Sequence, residues 1–186
     1  MSPGASANGT LPDAVEVSRF RPADAAAVSA LVRQVFDEHV ACTFQPEGIE
    51  EMHRHVSAAA IAGRAETHAT FVAWQGGLPA GVIEVRDTSH VSMLFVRTSH
   101  MGLGIATALI VRAAEACRAA GLERLTVHSS VNAQTFYERL GFRPTHDVQH
   151  VAGFSFVPME KRLSPPPAPT PEGGGEAPSP PGRGLG

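Results

Sequence analysis

The stretch from His90 to about Ala120 constrains this chain most tightly: an apolar strand passes through two glycines into an amphipathic helix. Residues His90 to Val96 set Val91, Met93 and Phe95 against Ser92, Leu94 and Val96. Both faces of that alternation carry apolar side chains, so the strand belongs in the middle of a sheet. Met101-Gly102-Leu103-Gly104-Ile105-Ala106 follows, after which Ile105, Leu109, Ala113 and Ala116-Cys117 recur toward one side of a helix. Gly121 can close that helix in a left-handed conformation. Successive amides at such a turn converge, and the exposed first-turn N–H groups and positive dipole end favour an anion, phosphate foremost. The spacing excludes two nucleotide classes. No Gly-Lys-Ser or Gly-Lys-Thr ends a P-loop, and Thr107 stands where a G-x-G-x-x-G would need its third glycine. Arg97, Arg112 and Arg143 either supplement the amides or serve as surface charge.

The rest of the chain reads as one α/β unit between two low-complexity ends. Of 186 residues, the last 23 hold 8 of the 15 prolines and 6 of the 18 glycines, a composition that cannot build a core. We therefore expect a flexible leader over residues 1–12, a domain over 13–163 and a disordered tail over 164–186. Within the domain, Val15 to Phe20 alternates as a strand, and Asp24 is placed to cap a helix carrying Val28, Leu31, Val35 and Phe36. Ile49, Met52, Val56, Ala60 and Ile61 form a second helical stripe. Thr67 to Gln75 and Leu78 to Arg86 read as a hairpin about Gly76-Gly77. After the glycine turn and its helix come a strand over Leu122 to Ser129, a short helix over Asn132 to Leu140 capped by Asn132, and two strands over Phe142 to Val148 and Val151 to Met159.

Fifteen Lys and Arg against eighteen Asp and Glu give a formal charge of −3, which provides no general attraction to nucleic acid or an anionic membrane. No apolar run approaches the ~20 residues that cross hydrocarbon, and a soluble, cytoplasmic protein is expected. Cys42 and Cys117 are expected as free thiols, Cys117 as a small core residue. His53-Arg54-His55 lacks metal-ligand geometry, since residues two apart on a helix diverge; no metal site is expected.

The run Leu94-Phe95-Val96-Arg97-Thr98-Ser99-His100-Met101-Gly102-Leu103-Gly104-Ile105-Ala106-Thr107-Ala108-Leu109, followed by Asn132-Ala133-Gln134-Thr135-Phe136-Tyr137-Glu138-Arg139-Leu140-Gly141-Phe142, resembles the GCN5-related N-acetyltransferase (GNAT) family. The likeness extends in element order from about Val15 to Leu163 and includes the closing strand Val157-Pro158-Met159-Glu160-Lys161-Arg162-Leu163. It implies an α+β, acyl-CoA N-acyltransferase fold: a mixed, mostly antiparallel twisted sheet flanked by helices and splayed between its fourth and fifth strands, where acetyl-CoA enters. By the same resemblance, Leu94, Phe95 and Val96 line the cofactor, the amides of Met101, Gly102, Leu103, Gly104, Ile105 and Ala106 cradle its pyrophosphate, and Asn132 helps hold the pantetheine. Tyr137 then protonates the departing CoA thiolate. One departure is Met101, where the family motif usually begins with Gln or Arg; backbone donors must then hold the anion.

The implied chemistry is direct attack of a primary amine on the thioester, with no covalent acetyl-enzyme and a backbone donor near Leu94 to Val96 at the developing oxyanion. The base is open. Glu84 and His90 are candidates on central strands, Glu38 and His39 on an acceptor-side helix, and a water chain is an alternative. The acceptor is an amine of a small molecule, peptide or protein, and the oligomeric state stays open, a homodimer included. Two other readings compete: a non-catalytic CoA-binding module, and an interaction protein working through the proline-rich tail.

Overall fold

Short runs rich in Val, Ile and Phe pair first as a meander. In the computed structural model, which describes residues 15–151 and 154–164, β1 (Val15–Arg19), β2 (Ala69–Gln75), β3 (Leu78–Arg86) and β4 (His90–Val96) are antiparallel neighbours. The expected leader, and the expected tail beyond Ser164, lie outside the described residues. Gly76 and Gly77, with φ of 58° and 77°, turn β2 into β3. Helices α1 (Ala25–His39), α2 (Pro46–His55) and α3 (Ala58–Arg64) intervene between β1 and β2. After β4 come α4 (Ile105–Ala119), β5 (Arg124–Ser130), α5 (Gln134–Arg139), β6 (Arg143–Pro144), β7 (Gln149–Val151) and β8 (Phe154–Arg162). The sheet runs β1-β2-β3-β4-β5-β8-β6, with β7 also on β8. Its only parallel pairing among the described residues is β4 with β5.

Each face of the sheet buries its own core. On one side α4 and α5 pack Ile105, Leu109, Ala113 and Tyr137 against Ile83, Val85, Val91 and Leu125. On the other α1, α2 and α3 cover Val72, Val82 and Met93 with Val28, Leu31, Val32, Val56 and Ile61. Full burial of such a Leu or Ile contributes about 1.5–3 kcal/mol. Helix and sheet approach closely at Gly81, where an added Cβ would stand 3.0 Å from Ile105 Cγ2, 3.1 Å from Leu109 Cδ1 and 3.1 Å from the Phe95 carbonyl oxygen. Gly81 thereby fixes how near the start of α4 lies to β3 and β4.

Several expected boundaries move. The stripe from Ile49 to Ile61 is two helices, because Val56 is drawn fully into the core and Ser57 turns extended, its hydroxyl accepting the Ala60 amide to start α3. Asp24 does not cap α1; its carboxylate accepts the Arg21 amide at 2.9 Å and pairs with the Arg21 guanidinium, closing the preceding 3-10 turn. Asn132 is no cap either. It sits exposed in a 3-10 turn, Val131–Ala133, and α5 starts two residues later. The strand expected over Phe142 to Val148 shrinks to Arg143–Pro144: the Thr145 amide still donates to the Pro158 carbonyl at 2.9 Å, but Pro158 has no amide to return the bond. The last strand begins at Phe154 and runs on to Arg162.

Candidate functional site

The cleft is made by a bulge. Opposite β3, Glu84 aligns with Met93 and Val85 with Val91, which leaves Ser92 as the extra residue of β4. The parallel ladder to β5 stops at the same level: His90 pairs with Thr126, Val91 with Val127, and nothing follows. From Ser92 to Val96 the β5-facing edge of β4 therefore has no strand partner among the described residues. Leu94 and Phe95 are half-buried along this wall and Val96 is buried. At its end a 3-10 turn, Thr98–His100, leads to Gly102 and Gly104, with φ of 79° and 81°. Gly104 is the left-handed N-cap of α4, so the amides of Ile105 and Ala106 in the first turn have no intrahelical acceptor. Among the described residues, no atom beyond Gly102 and its two chain neighbours lies within 4 Å of where a Cβ of Gly102 would stand. Converging amides, a helix N-terminus and open space fit a diphosphate.

Side chains add little to that cradle. Arg97 is engaged elsewhere, Nε and Nη2 donating to the Pro79 carbonyl at 3.3 and 2.9 Å. Arg112, two turns along α4, lies over the Phe71 ring and pairs with Glu115 at 2.9 Å, and Arg143 is in β6 beyond β8. Met101 and Leu103 are 49% and 44% exposed, apolar flanks to a site whose donors are backbone. The expected cofactor residues thus gather as one wall (Leu94, Phe95, Val96), one end (Met101 to Ala106) and, just past β5, the turn holding Asn132.

Tyr137 projects from α5 into the core on the α4 side, edge-on to Phe136 and Phe142 at 5.1 and 5.3 Å between ring centroids. Burial pushes its hydroxyl up to about 12, so the phenol stays protonated throughout the neutral range. Lys161 of β8 donates to the Leu140 carbonyl at the end of α5 and so holds the short helix that carries Tyr137.

The two base candidates have different surroundings. Glu84 is 1% exposed. Arg64 Nε donates to both its oxygens at 3.1 Å, His68 Nδ1 is 3.3 Å from Oε1, and Ser92 Oγ donates to Oε1 at 2.9 Å. His90 lies where β4 and β5 still pair. Thr126 donates its hydroxyl to the Ser89 carbonyl, so His90 Nδ1–H donates to Thr126 Oγ1 at 2.9 Å and Nε2 keeps its lone pair. Desolvation first, then Arg86 and His128, pushes the His90 imidazole down to about 4, leaving it neutral. It stands edge-on to His128 at 4.7 Å, and His128 stacks on Phe156 at 4.3 Å. His90 and His128, with Thr126, Thr145 and Glu160, border an open cleft of about 420 Å³. Glu38 and His39 meet instead at Thr98, at the cradle end of β4.

The sequence reading did not single out Ser92, Arg64 or the His128–Phe156 stack. A serine alone among apolar residues was the available sign for Ser92; the others depend on cross-strand register. Cys117 is buried and its thiol, pushed up by desolvation, donates to the Thr88 carbonyl at 2.9 Å, while Cys42 is exposed. His53 pairs with Asp37 at 2.7 Å.

Known proteins agree with this geometry. The chain matches the model of the Acetyltransferase (GNAT) domain family over residues 40–163. A GCN5-related N-acetyltransferase from Rhodopseudomonas palustris is 24% identical, superposes with a TM-score of 0.69, and the match covers 83% of this chain and 98% of that one. PaiA N-acetyltransferase from Thermoplasma acidophilum, solved in complex with coenzyme A, is 18% identical with a TM-score of 0.67 over 80% and 99% of the two chains. An acetyltransferase of the GNAT family from Staphylococcus aureus Mu50 is 12% identical with a TM-score of 0.65 over 81% and 100%. No curated protein matches. A mixed sheet parted beyond the bulge, with a glycine cradle closing the gap and the family motif spanning residues 40–163, makes this chain a member of the GNAT family of acetyltransferases.

Proposed function

We propose that this protein transfers the acetyl group of acetyl-CoA directly to a primary amine of a small molecule, peptide or protein. The observation that carries the reading is the partnerless stretch of β4 beyond Ser92, closed at one end by the Gly102–Gly104 cradle. In this reading the cradle amides bind the diphosphate, and the free edge of Leu94, Phe95 and Val96 supplies backbone groups to the pantetheine and to the carbonyl oxygen. Asn132 borders the opposite wall. Tyr137, held protonated by burial, gives its proton to the leaving sulfur. Bound acetyl-CoA supplies the activated acyl carbon.

The acceptor approaches from the face carrying His90 and His128, which border the open cleft. His90, neutral and with a free Nε2 lone pair, orients the amine by accepting a hydrogen bond, and Glu84 is the stronger candidate for taking up its proton. Dependence on acetyl-CoA suits a cytoplasmic setting. The test is CoA release from acetyl-CoA across a panel of primary amines, with acetylated product identified by mass. Amine-dependent release is expected. Tight CoA binding with no product from any amine would support a binding module instead.

A further inference from the structure

Glu84 poses a problem for the reaction just proposed, on which this inference rests. Its carboxylate is sealed beneath α3, 1% exposed, with both oxygens on Arg64, so an amine cannot reach it. Ser92 can. As the extra residue of the β4 bulge it is exposed at the level where β4 and β5 separate, on the same face as Glu84 and His90. Its hydroxyl donates to Glu84 Oε1 at 2.9 Å and lies 3.3 Å from the Glu84 carbonyl. A hydroxyl that donates inward keeps two lone pairs to accept from outside.

We propose that Ser92 relays the acceptor's proton from the cleft to Glu84. An N–H bond of the acceptor ammonium breaks and its proton binds Ser92 Oγ, while the Ser92 O–H proton passes to Glu84 Oε1. The nitrogen keeps the electron pair that attacks the thioester, serine ends as it began, and the carboxyl becomes neutral. After the amide leaves, the same path in reverse returns the proton to water.

The groups around Glu84 suit that role. Arg64 comes from α3, His55 from α2 and His68 from the segment before β2, while Thr70 of β2 lies directly opposite. Among the described residues, Arg64 Nη2 and Thr70 Oγ1 are buried without a hydrogen-bond partner, so further polar atoms are at hand beside the carboxylate. On the open side stand His90 and His128. Protonating His90 would add a cation beside Arg86 in a desolvated place.

Ser92→Ala, Ser92→Thr and the wild type separate the possibilities, with phenethylamine, spermidine, glucosamine and an alanyl peptide as acceptors. For the best of these, S92A should lower kcat/KM about 100-fold at pH 7. The deficit should shrink toward parity as pH rises through the acceptor amine's own pKa, because the free base needs no relay. S92T, which keeps the hydroxyl, should stay within about threefold of wild type at every pH on the same reasoning. An S92A enzyme equal to wild type at pH 7 overturns the relay. So does a loss of the same size at all pH values with a raised KM for acetyl-CoA, the signature of a disturbed bulge alone. Wild-type protein that binds CoA but acetylates none of the amines overturns the acetyltransfer reading, and the relay with it.

Discussion

Tyr137 carries two consequences from one cause. Burial among Phe136 and Phe142 raises its hydroxyl to about 12, because the phenolate would lose its hydration in that apolar site. As an acid it should remain competent well above neutrality, so Tyr137 imposes no alkaline fall in kcat below about pH 11. Tyr137→Phe should lower kcat on the order of 100-fold while leaving the acetyl-CoA dissociation constant within about threefold. Unchanged kcat, with chemistry shown to limit the rate, removes Tyr137 from the acid role. Stability gives a second readout. A folded-state value above the unfolded one means the native protein holds the proton more tightly, so this contribution is intact below pH 10 and fades as pH climbs toward 12. The wild type should therefore lose stability between pH 10 and 12 by about 2–3 kcal/mol more than Y137F, which has no phenol to ionise.

Among the elements, α4 matters most because its N-terminus forms the cradle proposed for the diphosphate, and its seat on the sheet depends on a missing side chain. Gly81→Ala would drive a Cβ against Ile105, Leu109 and the Phe95 carbonyl oxygen, and the last of these is backbone that cannot swing aside. Overpacking of this kind costs about 1–3 kcal/mol. The same displacement moves the first turn of α4 relative to β4. We expect a lower melting temperature together with weaker CoA binding by calorimetry; a variant that loses stability but binds CoA as before would show that the cradle is set independently of Gly81. The glycine turn into α4 was readable in advance because its parts are contiguous and glycine there has a local reason. The strands β3 and β4 were likewise placed residue for residue, since alternation and turn residues bound them on both sides. The break between α2 and α3 was not, because the apolar stripe continues through Val56 and the stop depends on Ser57 leaving helical geometry. Nor was the Arg64–Glu84–Ser92 chain, which requires a bulge and the seating of α3 on the sheet, both tertiary events with no local signature.

At the scale of the molecule, β4 and β5 join two halves of the sheet through two register pairs and the Thr126 amide on the Ser89 carbonyl, with α4 laid across. Beyond Val91 the halves part. A ligand that fills the gap adds contacts to both, so it should stabilise the fold as a whole and not one wall of it. With free ligand at 100 times its dissociation constant the gain is about 2.7 kcal/mol. For a chain of this length, where 1 kcal/mol shifts Tm by about 2–4 °C, the expected rise is roughly 5–10 °C. Adenosine diphosphate carries the anion without the pantetheine arm and would occupy the cradle alone, so at the same multiple of its own dissociation constant it should raise Tm equally. It should leave the amides of the Ser92 to Val96 edge exchanging at their free rate. CoA should slow exchange there as well as in the first turn of α4, while β1, at the far edge of the sheet, changes only as much as global stability requires. Protection confined to the α4 turn under CoA would mean that the diphosphate docks but the gap between β4 and β5 is not where the thioester lies.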